Sequence, residues 1–346
     1  MWPDELARAR LHVVTGKGGT GKTTVAAALA LALATGGART LLVEVEGRQG
    51  IAQLFDTSPL PYAEQRIAVA PGGGEVRALA IDAEEALLDY FETFYNLGMA
   101  GRTLRRMGAI EFATTLAPGL RDVLLTGKVK ECVGRTGKDG RHLYDAVVLD
   151  APPTGRVVTF LDVTKAMADL AKAGPIHRQS EGVVRLLHSS DTAVHLVTTL
   201  EDLPVTESLE TVAELEAAEL RPGAVIVNRA DERRLPTRSV DSAADGRVDR
   251  TRVRSGLASA DIELTDAQLD GLIAETVEHA MRVRAEAAAL ARLEAGPPEG
   301  PSEPLPRLTL PEVIDGVELG ALYELAEQLV EQGVRAHAAS NTGARK

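Results

Sequence analysis

Apolar and polar positions along the chain fall into blocks whose period changes. Leu11-His12-Val13-Val14 is a short β-branched apolar run that breaks into Gly16-Lys17-Gly18-Gly19-Thr20-Gly21-Lys22-Thr23, and Val25 to Ala34 follows as an Ala/Leu-rich helical pattern. Leu41-Leu42-Val43-Glu44-Val45-Glu46 predicts a buried strand ending in carboxylates, and Tyr144 to Asp150 predicts another that closes on an acid. Val225-Ile226-Val227-Asn228 predicts a further strand, ending in an amide. Between the second and third of these patterns, Asp82 to Arg135 is helical in period, with Leu87, Phe91, Phe94 and Tyr95 on one stripe and Leu116, Leu120, Val123 and Leu124 continuing it. Asp162 to Leu187 supplies a second helical stretch, split by Gly174-Pro175. Leu264 to Ala295 reads as two helices with Thr265 as N-cap, and Val317 to Gln332 as a last helix with Leu319, Leu322, Leu325 and Leu329 on one stripe. Strands alternating with helices in this order predict an α/β fold, with a mostly parallel central sheet flanked by helices and a helical subdomain inserted into it. The expected boundaries are 1–81, 136–161 and 190–335 for the core, 82–135 and 162–189 for the helical subdomain, and 336–346 for a disordered tail.

The order strand, glycine-rich loop, helix is the one a phosphate-binding loop requires. Glycines let the backbone turn its N–H groups inward around an anion, and the helix N-terminus adds its dipole. The nucleotide-binding stretch is accordingly Gly16, Lys17, Gly18, Gly19, Thr20, Gly21, Lys22, Thr23 and Thr24, with Lys22 for the β- and γ-phosphates and the Thr23 hydroxyl for Mg²⁺. The acid closing the later strand, Asp150, is the expected second contributor to the Mg²⁺ site. ATP and Mg²⁺ are thus the implied ligand and metal.

Composition narrows the class. The 346 residues carry a net charge of −12, which argues against a general nucleic-acid binder because phosphate-backbone affinity needs clustered positive charge. Cys132 is the one cysteine, so no disulfide forms within the chain. No run of about 18 apolar residues predicts an integral membrane segment, and the charged N-terminus lacks a signal-peptide core, so a cytoplasmic protein is expected. Seven histidines, among them His12 and His195, are scattered without metal-ligand spacing. Five of the eleven aromatics (Tyr90, Phe91, Phe94, Tyr95 and Phe112) lie in the first helical insertion, as do Met99 and Met107. Ala230 to Ala260 is rich in Arg alternating with Asp and poor in large apolar residues, which fits a mobile surface segment, either a solvated charge-mixed loop or a patch for an acidic partner.

Lys17 at the loop's second position and Ala151-Pro152-Pro153-Thr154-Gly155-Arg156 after Asp150 together resemble the ArsA/GET family of deviant Walker A P-loop ATPases, in a bacterial branch lacking the cysteine sites. In that family the 151–156 segment is switch II, and Ala151 and Arg156 replace its usual Thr and His. Leu200 to Pro204, Asn228, and Leu308 to Glu312 with Pro311 continue the resemblance in family order. The resemblance implies a dimer, homodimeric or heterodimeric with a paralogue, in which Lys17 reaches across to the facing subunit's phosphates. It implies that Asn228 bonds the adenine edge and that a loop bearing Pro311 covers the base. It also implies a hydrophobic protein client or a membrane-protein partner; the insertion's apolar stripes fit either that client's groove or the subdomain's own core.

The family's water-orienting Asp aligns with Glu46, one methylene longer, in Glu46-Gly47-Arg48-Gln49-Gly50. Glu46 is therefore the candidate catalytic acid alongside Lys17, or else a solvated loop acid, and Glu44 is a candidate to serve Mg²⁺ through a water. The resulting expectation is ATP hydrolysis coupled to a protein-targeting or transport partner. The alternatives are a nucleotide-binding module with weak or no hydrolysis and, disfavoured by the acidic balance, a positioning ATPase acting on membrane or DNA.

Overall fold

The computed structural model describes residues 2–95, 119–162, 175–231, 234–297, 304–314 and 316–337. Its centre is an eight-stranded sheet built from β1 (Leu11–Gly16), β2 (Arg39–Glu44), β3 (Gln65–Ala70), β4 (Gly74–Ala80), β5 (Ala146–Asp150), β6 (Thr192–Thr198), β7 (Pro222–Ala230) and β8 (Arg307–Pro311). The spatial order is β3-β4-β2-β5-β1-β6-β7-β8, with only β3 antiparallel to its neighbour. The mostly parallel α/β architecture expected from the alternating pattern is what forms.

Both faces of the sheet are covered, so its central strands β5, β1 and β6 are buried at every position rather than at alternate ones. In β1 every residue is buried; Leu11 and Val13 face one cluster and Val14 the other, as the period of two demands. On Val14's side lie α1 (Asp4–Arg8) and α2 (Lys22–Ala34), the latter buried at every position from Val25 to Ala34 because it sits between the sheet and α12 (Leu319–Glu331). The stripe on α12 packs at Leu322, Leu325 and Leu329, whereas Leu319, at the first turn, is 41% exposed. On the other side lie α5 (Leu120–Gly134), α6 (Thr154–Leu161), α7 (Pro175–Leu187) and α8 (Asp202–Ala217), around Tyr144, Phe160 and Cys132. Burial pushes the Cys132 thiol up to about 12, which keeps it protonated and inert.

Within the expected helical insertion, α4 (Ala83–Tyr95) packs on α5. The side chains of Tyr90, Phe91, Phe94, Tyr95 and Phe112, Met99 and Met107, and residues 163–174 lie outside the described part of the chain.

Several local expectations are corrected. Residues 264–295 form one continuous helix, α11 (Asp266–Ala295), which opens on a capping box between Thr265 and Gln268. The Arg-rich segment contains two helices, α9 (Thr237–Ala244) and α10 (Arg250–Ala258). Val240, Ala243 and Ala244 of α9 pack on Ala280 and Val283 of α11, and Arg250 pairs with Asp266 and Asp270. Small residues there supply the apolar contact, and neighbouring acids pair with Arg247, Arg250 and Arg254. The Leu308–Glu312 stretch, expected as a loop, is mainly the edge strand β8, hydrogen-bonded parallel to β7. Of the expected tail, residues 338–346 lie outside the described part of the chain, and His337 N–H donates to Ala7 O at 2.7 Å.

Candidate functional site

The site lies along the carboxyl ends of the parallel strands, where the chain leaves β1 for β2 on one side and leaves β5 for β6 on the other. The loop from Gly16 to Gly21 holds itself in shape: Thr20 donates from both its N–H and its hydroxyl to Lys17 O, at 3.2 and 2.8 Å. Two glycines are obligatory. A Cβ on Gly16 would stand 2.2 Å from Val197 O in the adjacent strand, and Gly21 has φ +87°, with Asn228 Nδ2 only 2.4 Å from the place a Cβ would occupy. Gly21 leads into α2 with no side-chain cap and no acid in the first turn. The first N–H groups of α2, beside Lys22, Thr23 and Thr24, are therefore available to an anion.

Sheet register brings the two strand-end acids together. Glu44 of β2 pairs in register with Asp150 of β5, and Val14 of β1 pairs with Asp150 on its other side. Thr23 Oγ1 donates to Asp150 Oδ2 at 2.7 Å. Asp150 is only 8% exposed, and its Oδ1 is buried without a hydrogen-bond partner. Burial is the main reason its carboxyl is pushed up to about 6, with the Thr23 hydrogen bond and Lys22 pulling the other way. An orphaned carboxylate oxygen next to a hydroxyl is a donor set that fits a hard cation such as Mg²⁺.

Glu44 is 2% exposed, and its two oxygens accept from the backbone N–H groups of Gln49, at 2.5 Å, and Ile51, at 3.3 Å. It thereby fixes the loop into α3 (Gly50–Leu54). Strand β2 ends at Glu44, so Glu46 sits in the following loop, with Arg48 Nε 3.7 Å from its carboxylate. Arg48, Arg121 and Arg156 converge with Glu46 on a pocket of about 140 Å³. Arg156 also donates to Asp122 of α5 at 3.1 Å, linking the first turn of α6 to α5.

Asn228 is buried near the end of β7 and donates from Nδ2 to Thr20 O at 2.8 Å, which ties β7 to the phosphate loop. Pro311 pairs in register with Ala230, two residues beyond Asn228. Beside them opens a cleft of about 810 Å³, lined by Glu201, Arg229, Asp231, Arg282, Glu286 and Glu312 among others. Burial, reinforced by Asp231 and Glu312, raises the Glu286 carboxyl. The α11 wall of this cleft was not legible in the sequence, because nothing local says that residues 282–292 return to the end of β7. Lys17 is also partnered within the chain: its ammonium ion-pairs with Glu207 of α8. No sequence signal singled out Glu207.

A self-braced phosphate loop, a helix N-terminus free of acids, and a hydroxyl–carboxylate pair at the adjacent strand ends together define a P-loop ATPase. The sequence profile of the anion-transporting ATPases matches residues 9–188. The ATPase BagA of Mycobacterium tuberculosis is 60% identical over 334 residues, 96% of each chain. The arsenical pump-driving ATPase of Escherichia coli is 28% identical over 235 residues, 66% of this chain and 36% of that one. That of Acidiphilium multivorum is 24% identical over 281 residues, 76% of this chain and 46% of the other. The chain belongs to the anion-transporting (ArsA) ATPase family. Among the described residues no helix is long and apolar enough to cross a membrane.

Proposed function

We propose that this chain is a dimeric, cytoplasmic, Mg²⁺-dependent ATPase that couples ATP binding and hydrolysis to a protein-targeting or transport partner. The observation carrying the reading is the Thr23–Asp150 pair with its orphaned oxygen, set beside an uncapped helix N-terminus. In this reading the loop N–H groups and Lys22 hold the β- and γ-phosphates. Thr23 and Asp150 hold Mg²⁺, which when bound neutralises charge developing on the transferred phosphoryl group. Glu44, whose oxygens already accept two backbone N–H groups, shapes the loop carrying Glu46 and reaches the metal at most through water. Asn228 and the Pro311 end of β8 border the cleft for adenine. Glu46 orients the attacking water, and Lys17 serves the facing subunit, in a homodimer or a heterodimer with a paralogue. The helices of 82–135 and 162–189 act as a subdomain moved by the nucleotide through the Arg156–Asp122 contact.

A second reading, a nucleotide-binding module with little hydrolysis, is favoured by one observation: Glu46 lies beyond the strand, in a loop, next to Arg48. Phosphate release separates the two. The ATPase reading expects turnover that Lys22→Ala abolishes and that Glu46→Gln lowers in kcat with little change in KM. Nucleotide binding without turnover in the wild type selects the second reading, and turnover that survives Lys22→Ala overturns the first.

A further inference from the structure

The Lys17 ammonium is paired with Glu207 Oε1, and Glu207 Oε2 accepts from Thr154 Oγ1 at 3.1 Å. One carboxylate therefore spans the second position of the phosphate loop and the first residue of α6, the helix that carries switch II. Both neighbours of this bridge are fixed. Thr154 is buried, α6 packs along α8, and Thr15 at the end of β1 donates to Pro152 O at 2.7 Å, which ties switch II to the phosphate-loop strand. The bridge itself is not sealed: the Lys17 and Glu207 side chains are 28% and 30% exposed. A competitor for Lys17 can reach it from solvent.

We propose that Glu207 is a positioning residue that holds Lys17 within its own chain, and that the phosphates on a facing subunit must draw Lys17 off this carboxylate before it acts across the interface. The inference rests on the proposed role of Lys17 in a dimer. A single ammonium has one charge to give, and the hold on it is graded correctly for a latch. A partly exposed ion pair biases an equilibrium by a factor of about two to five, and a triphosphate, with several negative charges, outcompetes it. When Lys17 leaves, the Glu207 carboxylate loses its cation but keeps Thr154, so departure of the lysine changes the charge facing the start of α6. Formation of the dimer is in this way made visible to switch II without any contact between Lys17 and that segment. The signal travels through two contacts on one side chain, those of Glu207 with Lys17 and with Thr154.

Full-length protein carrying Glu207→Gln or Glu207→Ala tests this, with sedimentation velocity and phosphate release followed across an ATP titration at fixed protein concentration. The glutamine is isosteric and still able to accept from Thr154, so Glu207→Gln is expected to unfold at the wild-type urea midpoint, whereas Glu207→Ala leaves the buried Thr154 hydroxyl without its acceptor and should unfold at a lower one while titrating with ATP as the glutamine variant does. The expected result is an approximately two- to fivefold lower half-saturating ATP for dimer formation and for turnover in both variants. Adding Lys17→Ala to either variant should erase that gain. If Lys17→Ala alone loses the ATP-driven dimer while the Glu207 variants titrate as wild type, the latch is overturned and the proposed function stands. If Lys17→Ala titrates as wild type, the role of Lys17 across the interface falls, and the latch falls with it.

Discussion

Thr23 Oγ1 donates to Asp150 Oδ2 at 2.7 Å, while Asp150 Oδ1 is buried without a partner. A buried charge with half of its hydrogen-bonding capacity unmet costs stability, and function is the reason to keep it. The carboxyl is raised from 3.8 to about 6, mainly by burial. Between those pH values the fold binds more protons than the unfolded chain, so this site's contribution to stability falls as pH rises through that window, by roughly 3 kcal/mol in full. Asp150→Asn should therefore melt higher than wild type at pH 8 without metal, yet lose at least about 100-fold in Mg²⁺-dependent turnover. Thermal melts in chelator beside phosphate-release rates check both halves; a variant less stable than wild type at pH 8 contradicts the account of Asp150.

The two obligatory glycines should fail in different ways. In Gly16→Ala the new methyl meets the backbone carbonyl of Val197, which cannot rotate away, so the β1–β6 pairing must shift. A loss of about 2 kcal/mol or more in urea-unfolding stability is expected. In Gly21→Ala the collision is with the Asn228 amide and the left-handed backbone is strained, so the loop and the Asn228 tie move first. ATP affinity measured by calorimetry should drop at least about tenfold, with a smaller loss of stability, of about 1 kcal/mol.

On the adjacent strands β1 and β6, His12 and His195 form a closed relay under Trp2. Ala224 N–H donates to His195 Nδ1 at 3.0 Å, His195 Nε2 lies 3.0 Å from His12 Nδ1, and His12 Nε2 lies 3.1 Å from Ala9 O. The Ala224 donor fixes the tautomers: His195 donates to His12, and His12 donates to Ala9, so both rings are neutral. Burial lowers His12 to about 4 and His195 well below its ordinary value. The unfolded chain then binds more protons than the fold below pH 6.5, and stability is lost as pH falls from there toward 4. For His12 alone the loss is about 2 kcal/mol at pH 5. Wild type and His12→Gln, compared by urea midpoint at pH 7 and pH 5, should differ in slope by that amount, with the glutamine variant the less acid-sensitive. Equal slopes would count against the relay.

Local chemistry made much of this molecule readable in advance. The strand-loop-helix from Leu11 to Ala34, the strand closing on Asp150, and the capped start of α11 at Thr265 depend on contacts within a few residues, and they form as expected. The misjudged stretches are those where packing overrides local signals. Residues 264–295 stay helical without a break because α9 and α8 lie against them. Leu308 to Pro311 becomes a strand because β7 offers it an edge. Glu44 and Glu46, which alternate as strand neighbours in the sequence, are separated by a strand that stops after the first of them.

The sequence by itself determined the family, the phosphate loop and the identity of the acid that faces it, because backbone conformation and burial period are short-range properties. Only the tertiary structure decided which distant groups meet. Thr23 reaches Asp150 across 127 residues, His12 reaches His195 across 183, and Lys17 reaches Glu207 across 190. Each of these meetings follows from sheet order, with β1 between β5 and β6 and the loop after β6 carrying α8 over switch II. Sheet order is settled by how whole strands and helices bury one another, a free energy spread over the entire core and written at no single position.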